Sequence, residues 1–511
     1  MQDYPWWNET QRELMNDAQK FTDDVLIPIG EKCVYKKEYP WEAMKLVAQK
    51  GWLGATIPQK YGGHQEEWGV TGACILVEET SRAGVISSGI TTTLIGATHQ
   101  ILHDGTEDQK QRWLPKVARG ELLACITMTE PYAGSDIAAI ETTAVREENT
   151  YIVNGIKRFQ TNAAAADLYM TYVKTSSDPK MVKSYGHLSG IIIEKGMPGF
   201  TVERVNDWMG SAGMYNCYLR FDNLKVPVKN LIGGEGDGWR VMMSGLNIER
   251  VISAAGCLGG MREAIRYAKQ HLERRVQFGQ PTGSFLTNQF KLADMYSKFQ
   301  LARLLIYYAA YCADLGRDVP IEAGLSKLYG SEVALEIASE AIQCMGGNGT
   351  MQIYPVERYM RDAKLAQIAA GTSEVLRLLI YRMGSRYFAD DLKAPVRMMD
   401  EELDMPLPAG KLPKPKVVKN EMDVLKVLAE NYRTNPGLHM TIVDMKQFLE
   451  VSNEVLLQYL ADLEKKGLVS QFKNGKGEVE LVKATFTGLR EANPPNYYTH
   501  IPSWVLPQDI F

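Results

Sequence analysis

A multidomain α+β chain is what the sequence predicts, and three observations carry that prediction. Apolar residues recur at helical spacing over residues 8–120, the period switches to short β-branched and aromatic runs from Leu122 to about 235, and long helical patterns return and run to about 389. A run of prolines then sets off a further module, and 511 residues are enough for three or four domains with cores of their own.

The first block, residues 1–121, contains ETQRELMNDAQKFTDDVLIPI and WEAMKLVAQKGWLGATI, broken at the Gly62-Gly63 turn. The second, 122–236, strings together LLACITM, TYIVNGIKRFQ, LYMTYVKT, LSGIIIE, FTVERV and NCYLRFDNLKVP, with Asn154-Gly155 read as a turn. The third, 237–390, follows GGEGDG and holds ARLLIYYAAYCADLG and GSEVALEIASEAIQCMGG at helical period.

Residues 391–418 carry Pro395, Pro406, Pro408, Pro413 and Pro415 among charges and read as an extended linker. Its last sixteen residues reach about 50 Å as polyproline II at about 3.1 Å per residue, enough to cross a neighbouring subunit. Residues 419–490 predict three helices and a two-stranded hairpin turning at Asn474-Gly475, with Thr441 and Asp444 at capping-box spacing, a pattern that resembles a winged helix. The tail, 491–511, has Tyr497, Tyr498, Trp504 and Phe511 and too many prolines for regular structure, so it is expected to lie across another surface.

A net charge of −4 with both signs dispersed gives no electrostatic reason for a polyanionic partner of the whole chain. Seven widely spaced cysteines without a CxxC argue against a disulfide framework or a zinc site, so no metal is expected. The opening MQDYPWWNETQRELM has neither a signal core nor transit character, and no segment approaches eighteen apolar residues, so a cytoplasmic, prokaryotic protein without a membrane segment is expected.

Among the chemistry-bearing patterns, a Rossmann site is disfavoured: GGEGDG has the wrong spacing and no βαβ unit around it. If residues 240–270 form one helix, Glu249, Ser253, Gly256 and Gly260 share a face, which sets a carboxylate above a stripe of small residues with room for a ligand. On pattern alone, a surface-paired Glu249 with glycines serving close helix packing has equal weight.

Three stretches then carry a resemblance. Residues 126–145, ITMTEPYAGSDIAAIETTAV, residues 274–295, RRVQFGQPTGSFLTNQFKLADM, and residues 365–377, LAQIAAGTSEVLR, resemble the flavin-contacting segments of the acyl-CoA dehydrogenase family, over about residues 5–389. The resemblance implies that family's fold, an N-terminal helical domain, a central β domain and a C-terminal four-helix bundle, to which the winged-helix-like domain is added. It also implies FAD, an acyl-CoA substrate, an electron-transferring flavoprotein as acceptor and a homotetramer.

Residue by residue, it assigns Met128, Thr129, Ser135, Phe159 and Thr161 to the flavin ring and phosphates. Arg275, Phe278, Gln343 and Gly347 would come from an adjacent subunit, and Thr372 and Glu374 would sit near the adenosine half. Ala370 stands where many members carry the catalytic glutamate, whereas Glu249 falls where the isovaleryl-CoA and long-chain branches place their base. The backbone N–H of Ala370 would then donate to the thioester oxygen, with Asn247, Arg250 and Gly371 contacting substrate. The chain departs from the family at Tyr132, for a glycine, at Phe159, for a frequent tryptophan, and at Leu286, for a common glutamine.

Removing an α proton needs a base whose pKa lies near neutrality, which burial gives a glutamate. A helix-borne base points to a branched, aromatic or cyclic acyl group. Two rival readings are an oxygen-using oxidase of the same fold and a regulatory scaffold on an inactive core. For the C-terminal module, eleven acidic against nine basic residues over 421–491, with Glu454, Gln458 and Asp462 on the would-be recognition helix, make DNA binding unfavourable and a protein contact preferred.

Overall fold

The protein is described from a computed structural model, which covers residues 3–387, 399–400, 405–406, 415–434 and 437–492. Most of the proline-rich linker and the tail aromatics Tyr497, Tyr498, Trp504 and Phe511 lie outside the described residues. The chain divides into two compact units, Met1–Tyr387 and Phe388–Phe511.

The first unit begins with helices α1 (Glu9–Phe21), α2 (Ile27–Lys36), α3 (Trp41–Gln49), α4 (Gln65–Thr80), α5 (Ile86–Ile95), α6 (Ala97–Asp104) and α7 (Glu107–Ala118). Two of them start on reciprocal caps, Asn8 with Gln11 and Thr106 with Gln109, which satisfy otherwise orphaned N–H groups.

Strands β1 (Ala124–Thr127), β2 (Thr143–Glu147), β3 (Thr150–Thr161), β4 (Leu168–Lys174), β5 (Leu188–Glu194), β6 (Phe200–Val205), β7 (Asn216–Pro227) and β8 (Leu231–Ile232) follow, with a short helix α8 (Pro179–Lys183) between β4 and β5. They form one mixed sheet in the order β6-β7-β3-β2-β4-β5-β8, with β1 parallel to β4. Asn154-Gly155 is not a turn: both residues lie inside β3, at a shift of register against β7, and the β2–β3 turn falls at 148–149. A Cβ on Gly155 would stand 2.4 Å from Thr142 Oγ1, so close approach of two chain segments is what requires glycine there.

The bundle comprises α9 (Gly238–Arg274), α10 (Leu286–Asp314), α11 (Pro320–Met345), α12 (Val356–Ala366) and α13 (Ser373–Tyr387), with a hairpin β9 (Val276–Gln277) and β10 (Gln280–Pro281) after α9. One core runs through α1, α4, α5, α9, α10 and α11, so the N-terminal helices and the bundle share an interior. Buried charges pin it: Glu78 accepts from Arg303 Nε at 3.1 Å and Tyr307 Oη at 2.6 Å, and Arg82 donates to Glu263 at 2.9 Å and to Glu79 at 3.2 Å. Helix α9 thus lies between N-terminal helices and bundle, and its middle is held from both sides.

The second unit has short strands β11 (Met399–Asp400), β12 (Met405–Pro406), β13 (Lys416–Val417) and β14 (Leu449–Glu450), and helices α14 (Glu421–Thr434), α15 (Ile442–Phe448), α16 (Asn453–Lys465) and α17 (Phe486–Ala492). Its hairpin is β15 (Val469–Lys473) with β16 (Val479–Ala484). Leu425, Leu428, Phe448, Leu456, Leu460, Leu463, Val482 and Leu489 are among its buried core residues. Thr441 and Asp444 form the full reciprocal cap on α15. The hairpin loop is longer than a two-residue Asn474-Gly475 turn: residues 474–478 form it, the Asn474 side chain accepts from Lys476 and Glu478 N–H, and Gly477 takes the positive φ, 82°.

Candidate active site

Two groups of side chains converge in the first unit. The first lies at the edge of the sheet, where β1 ends and β3 passes. Thr129 accepts at its carbonyl from Arg158 N–H at 2.8 Å and from Gln160 Nε2 at 2.8 Å, while Gln160 Oε1 accepts from Met128 N–H at 3.3 Å. Beneath them Lys157, fully buried, donates to the Met128 carbonyl at 3.0 Å and to Glu130 Oε1 at 2.7 Å. Burial pulls the Lys157 pKa down to about 8, against the pull of Glu130. Met128, Thr129, Phe159 and Thr161 are therefore brought together by a hydrogen-bonded brace.

Within that group Phe159 adopts φ 62° and presents a half-exposed ring with the Arg158 guanidinium 4.2 Å from its centroid. Thr161 Oγ1 accepts from Asn216 at 3.3 Å, leaving its own hydroxyl proton free to donate. The hydroxyls of Thr129 and of the exposed Ser135 have no partner among the described residues. A half-exposed aromatic ring on the same brace as the Thr129 and Thr161 hydroxyls fits a flat, polar-rimmed heterocycle, as the isoalloxazine of FAD is.

The second group is on α9. Glu249 and Arg250 are 9% and 8% exposed. Burial pushes the Glu249 pKa up to about 7, with Arg250 and Lys327 pulling against it. Its carboxylate makes no hydrogen bond among the described residues. Arg250 Nη1 reaches Asn247 Oδ1 at 3.5 Å, its Nε is buried without a partner, and Asn247 Nδ2 donates to Asp318 at 3.2 Å.

Over this helix passes the turn joining α12 to α13. Ala370 and Gly371 take consecutive left-handed conformations, φ 54° and 95°, and a Cβ on Gly371 would stand 4.0 Å from Arg250 Nη2. The Ala370 N–H has no acceptor among the described residues, as an oxyanion donor requires. Lys327, on α11, donates to the Gly371 carbonyl at 2.6 Å. Glu249, Arg250, Asn247, Ala370 and Gly371 are thus neighbours.

The stripe below Glu249 divides by function. A Cβ on Gly256 would meet Val77 at 3.4 Å and one on Gly260 would meet Tyr359 at 3.6 Å, ordinary contacts, so neither is forced by packing. Gly259, one residue away, is: its Cβ would stand 2.1 Å from Ser81 Oγ and 2.4 Å from the Glu78 carbonyl.

Four sequence-predicted residues stand apart. Arg275, Phe278, Gln343 and Gly347 are all exposed, Phe278 to 94% at the tip of the β9–β10 hairpin. Among the described residues no hydrogen bond, ion pair or ring contact joins them to the sheet-edge group. Thr372 caps α13, accepting from Val375 N–H at 3.3 Å, and Glu374 is exposed in its first turn. Tyr132 is exposed beside Ser135, and Leu286 is exposed at the start of α10.

Sequence reading missed Lys327, Lys157, Glu130 and Gln160. Lys327 had a signal: it sits in line with Ala323, Gly330 and Ala334, which the structure buries on one face of α11.

Against known families, residues 8–121 match the acyl-CoA dehydrogenase N-terminal domain, 125–224 the middle domain and 236–384 the C-terminal domain. The chain belongs to the acyl-CoA dehydrogenase family. It is 37% identical over 377 residues to an acyl-CoA dehydrogenase of Bacillus subtilis, covering 73% of this chain and 97% of that one. It is also 37% identical to the mitochondrial isovaleryl-CoA dehydrogenase of Pongo abelii over 382 residues, covering 73% and 88%. Among solved structures, butyryl-CoA dehydrogenase of Megasphaera elsdenii superposes with a TM-score of 0.72 at 33% identity, covering 75% of this chain and 99% of that one.

Members of the acyl-CoA dehydrogenase family are FAD flavoproteins and oxidoreductases, and FAD-dependent dehydrogenation is the chemistry of this chain. Among the described residues no helix is long and apolar enough to cross a membrane, and no group of three His, Cys, Asp or Glu side chains could hold a metal ion.

Proposed function

We propose that the chain removes hydrogen from the α and β carbons of an acyl-CoA thioester, with Glu249 as the base for the α proton. What carries this reading is a buried carboxylate with no hydrogen-bond partner, its pKa near 7, set beside a turn whose Ala370 N–H is free. A base needs a lone pair unengaged and an affinity for protons close to ambient pH. The N–H of Ala370 is the donor for the thioester oxygen as negative charge grows there. FAD, when bound, supplies the acceptor for the β hydrogen and its electron pair. Arg250 and Asn247, with Gly371, bind the thioester side of the substrate.

The acyl group is branched, aromatic or cyclic: Gly256 and Gly260 leave width below Glu249 that packing does not demand. Met128, Thr129, Ser135, Phe159 and Thr161 receive FAD on one subunit. Arg275, Phe278, Gln343 and Gly347, exposed in the single chain, are supplied to the site of a second copy in a tetramer, with Thr372 and Glu374 near the adenosine half. Electrons pass to an electron-transferring flavoprotein, and the setting is cytoplasmic. Residues 1–121, 122–236 and 237–390 form the catalytic part and 419–490 a winged-helix-like module that contacts protein rather than DNA, while most of 391–418 lies outside the described residues.

Anaerobic bleaching of the bound flavin by a panel of acyl-CoA thioesters tests cofactor, activity and acyl preference together. Bleaching by branched or cyclic thioesters at low concentration is expected. A protein that takes up no FAD, or one whose flavin no thioester bleaches, contradicts the reading.

A further inference from the structure

We propose that Lys327 is a positioning residue: its ammonium fixes the Ala370–Gly371 turn against the base-bearing helix and holds a positive charge beside the Glu249 carboxylate. The inference rests on Glu249 being the base.

Lys327 is 3% exposed, and the one hydrogen bond its ammonium makes among the described residues is to the Gly371 carbonyl, at 2.6 Å. An ammonium has three protons to donate, and burying it without a carboxylate costs several kcal/mol. No ion pair within 4.0 Å offsets it among the described residues, so a neutral amide would serve more cheaply if a strut were all the fold needed. The charge has a use, and the charged groups around it show which. Lys327 faces Cys257, Arg250 and Glu249 on α9 and Glu332 on its own helix. Glu249 faces Arg250, Lys327 and the Tyr172 phenol from β4.

Of these neighbours, Cys257 and Tyr172 are pushed by burial to higher pKa and stay neutral through neutrality, and Arg250 stays charged. Between pH 6 and 9 the exchangeable charges are those of Glu249, near 7, and Lys327, which burial pulls down to about 8. The two titrate as a pair. The mechanical role is as direct. Two successive left-handed residues, one of them alanine, need holding from outside. The hold comes from Ser373 N–H on the Gln367 carbonyl at 3.1 Å and from Lys327 on Gly371. Lys327 therefore sets where the free Ala370 N–H stands relative to α9.

The test uses full-length holoenzyme and 3,3-dimethylbutyryl-CoA, which has α hydrogens but no β hydrogen to lose, so that exchange of the α hydrogens into D2O reads the base alone. Lys327→Gln keeps a donor for Gly371 and removes the charge; Lys327→Met removes both; Lys327→Arg keeps the charge. The midpoint of the acid limb moves up by about one pH unit in the Gln and Met variants, about tenfold slower exchange at pH 6, and stays near the unmodified value in Arg. In Met alone, backbone amide exchange over 366–372 also rises. Should Met fail to fold, Gln still decides the charge. Acid limbs of Gln and Met that coincide with the unmodified one overturn the proposal for Lys327 alone. No exchange by the unmodified enzyme at any pH overturns the assignment of Glu249 and this proposal with it.

Discussion

Glu249 and Arg250 are consecutive, both buried in α9, and form no ion pair with each other among the described residues. The arginine turns toward Asn247 and Gly371, and the carboxylate is left with charge nearby but no hydrogen bond. A paired carboxylate would be a poor proton acceptor; the proposed base has no hydrogen bond among the described residues to compete with a proton.

The acid limb of flavin reduction should therefore lie near pH 7, with rates falling about tenfold per unit below it, because the base must be ionised to act. A rate-against-pH profile by anaerobic stopped flow checks this.

The same carboxylate should make stability pH-dependent. Its folded pKa, about 7, lies above the 4.5 of an ordinary glutamate, so the folded state holds the extra proton between the two. Stability on the order of 3 kcal/mol is lost as pH rises from about 4.5 to about 7, and the loss then levels. Glu249→Gln should unfold at a higher temperature than the unmodified enzyme at pH 8, with the difference shrinking by pH 5, as calorimetry would show.

Gly259→Ala and Gly256→Ala should part company. The first drives a methyl into Ser81 and the Glu78 carbonyl and should cost about 1–3 kcal/mol. The second meets only Val77 at contact distance, so stability should hold while KM for bulky thioesters rises. Thermal melts and steady-state kinetics on both variants separate packing from ligand room.

Lys157→Met leaves the buried Glu130 carboxylate without its cation, held by the Glu141 and Thr142 N–H groups, and frees the Met128 carbonyl. A loss of about 3 kcal/mol or more is expected, with FAD released on gel filtration.

Much of this was legible in the sequence because period reports burial: the helical and β blocks, the unbroken α9 and the reciprocal cap at Thr441 and Asp444 all leave local patterns. Asn154-Gly155 misled because the same pair serves a tight turn or a close approach within a strand, and only the position of Thr142 decides between them. Lys327 and the Lys157–Glu130 brace stayed hidden because each joins segments far apart in the chain, and a lone lysine in sequence does not show that its partner is a backbone carbonyl. Helix α17 and the β13–β14 pair went unread for a simpler reason, their shortness.

The most direct measurement is the rate at which an acyl-CoA thioester reduces the flavin of Glu249→Gln under anaerobic conditions. With FAD content unchanged, the rate should fall by about a hundredfold to ten-thousandfold. A variant that reduces its flavin at nearly the unmodified rate would show that the proton leaves by another route and that Glu249 is not the base.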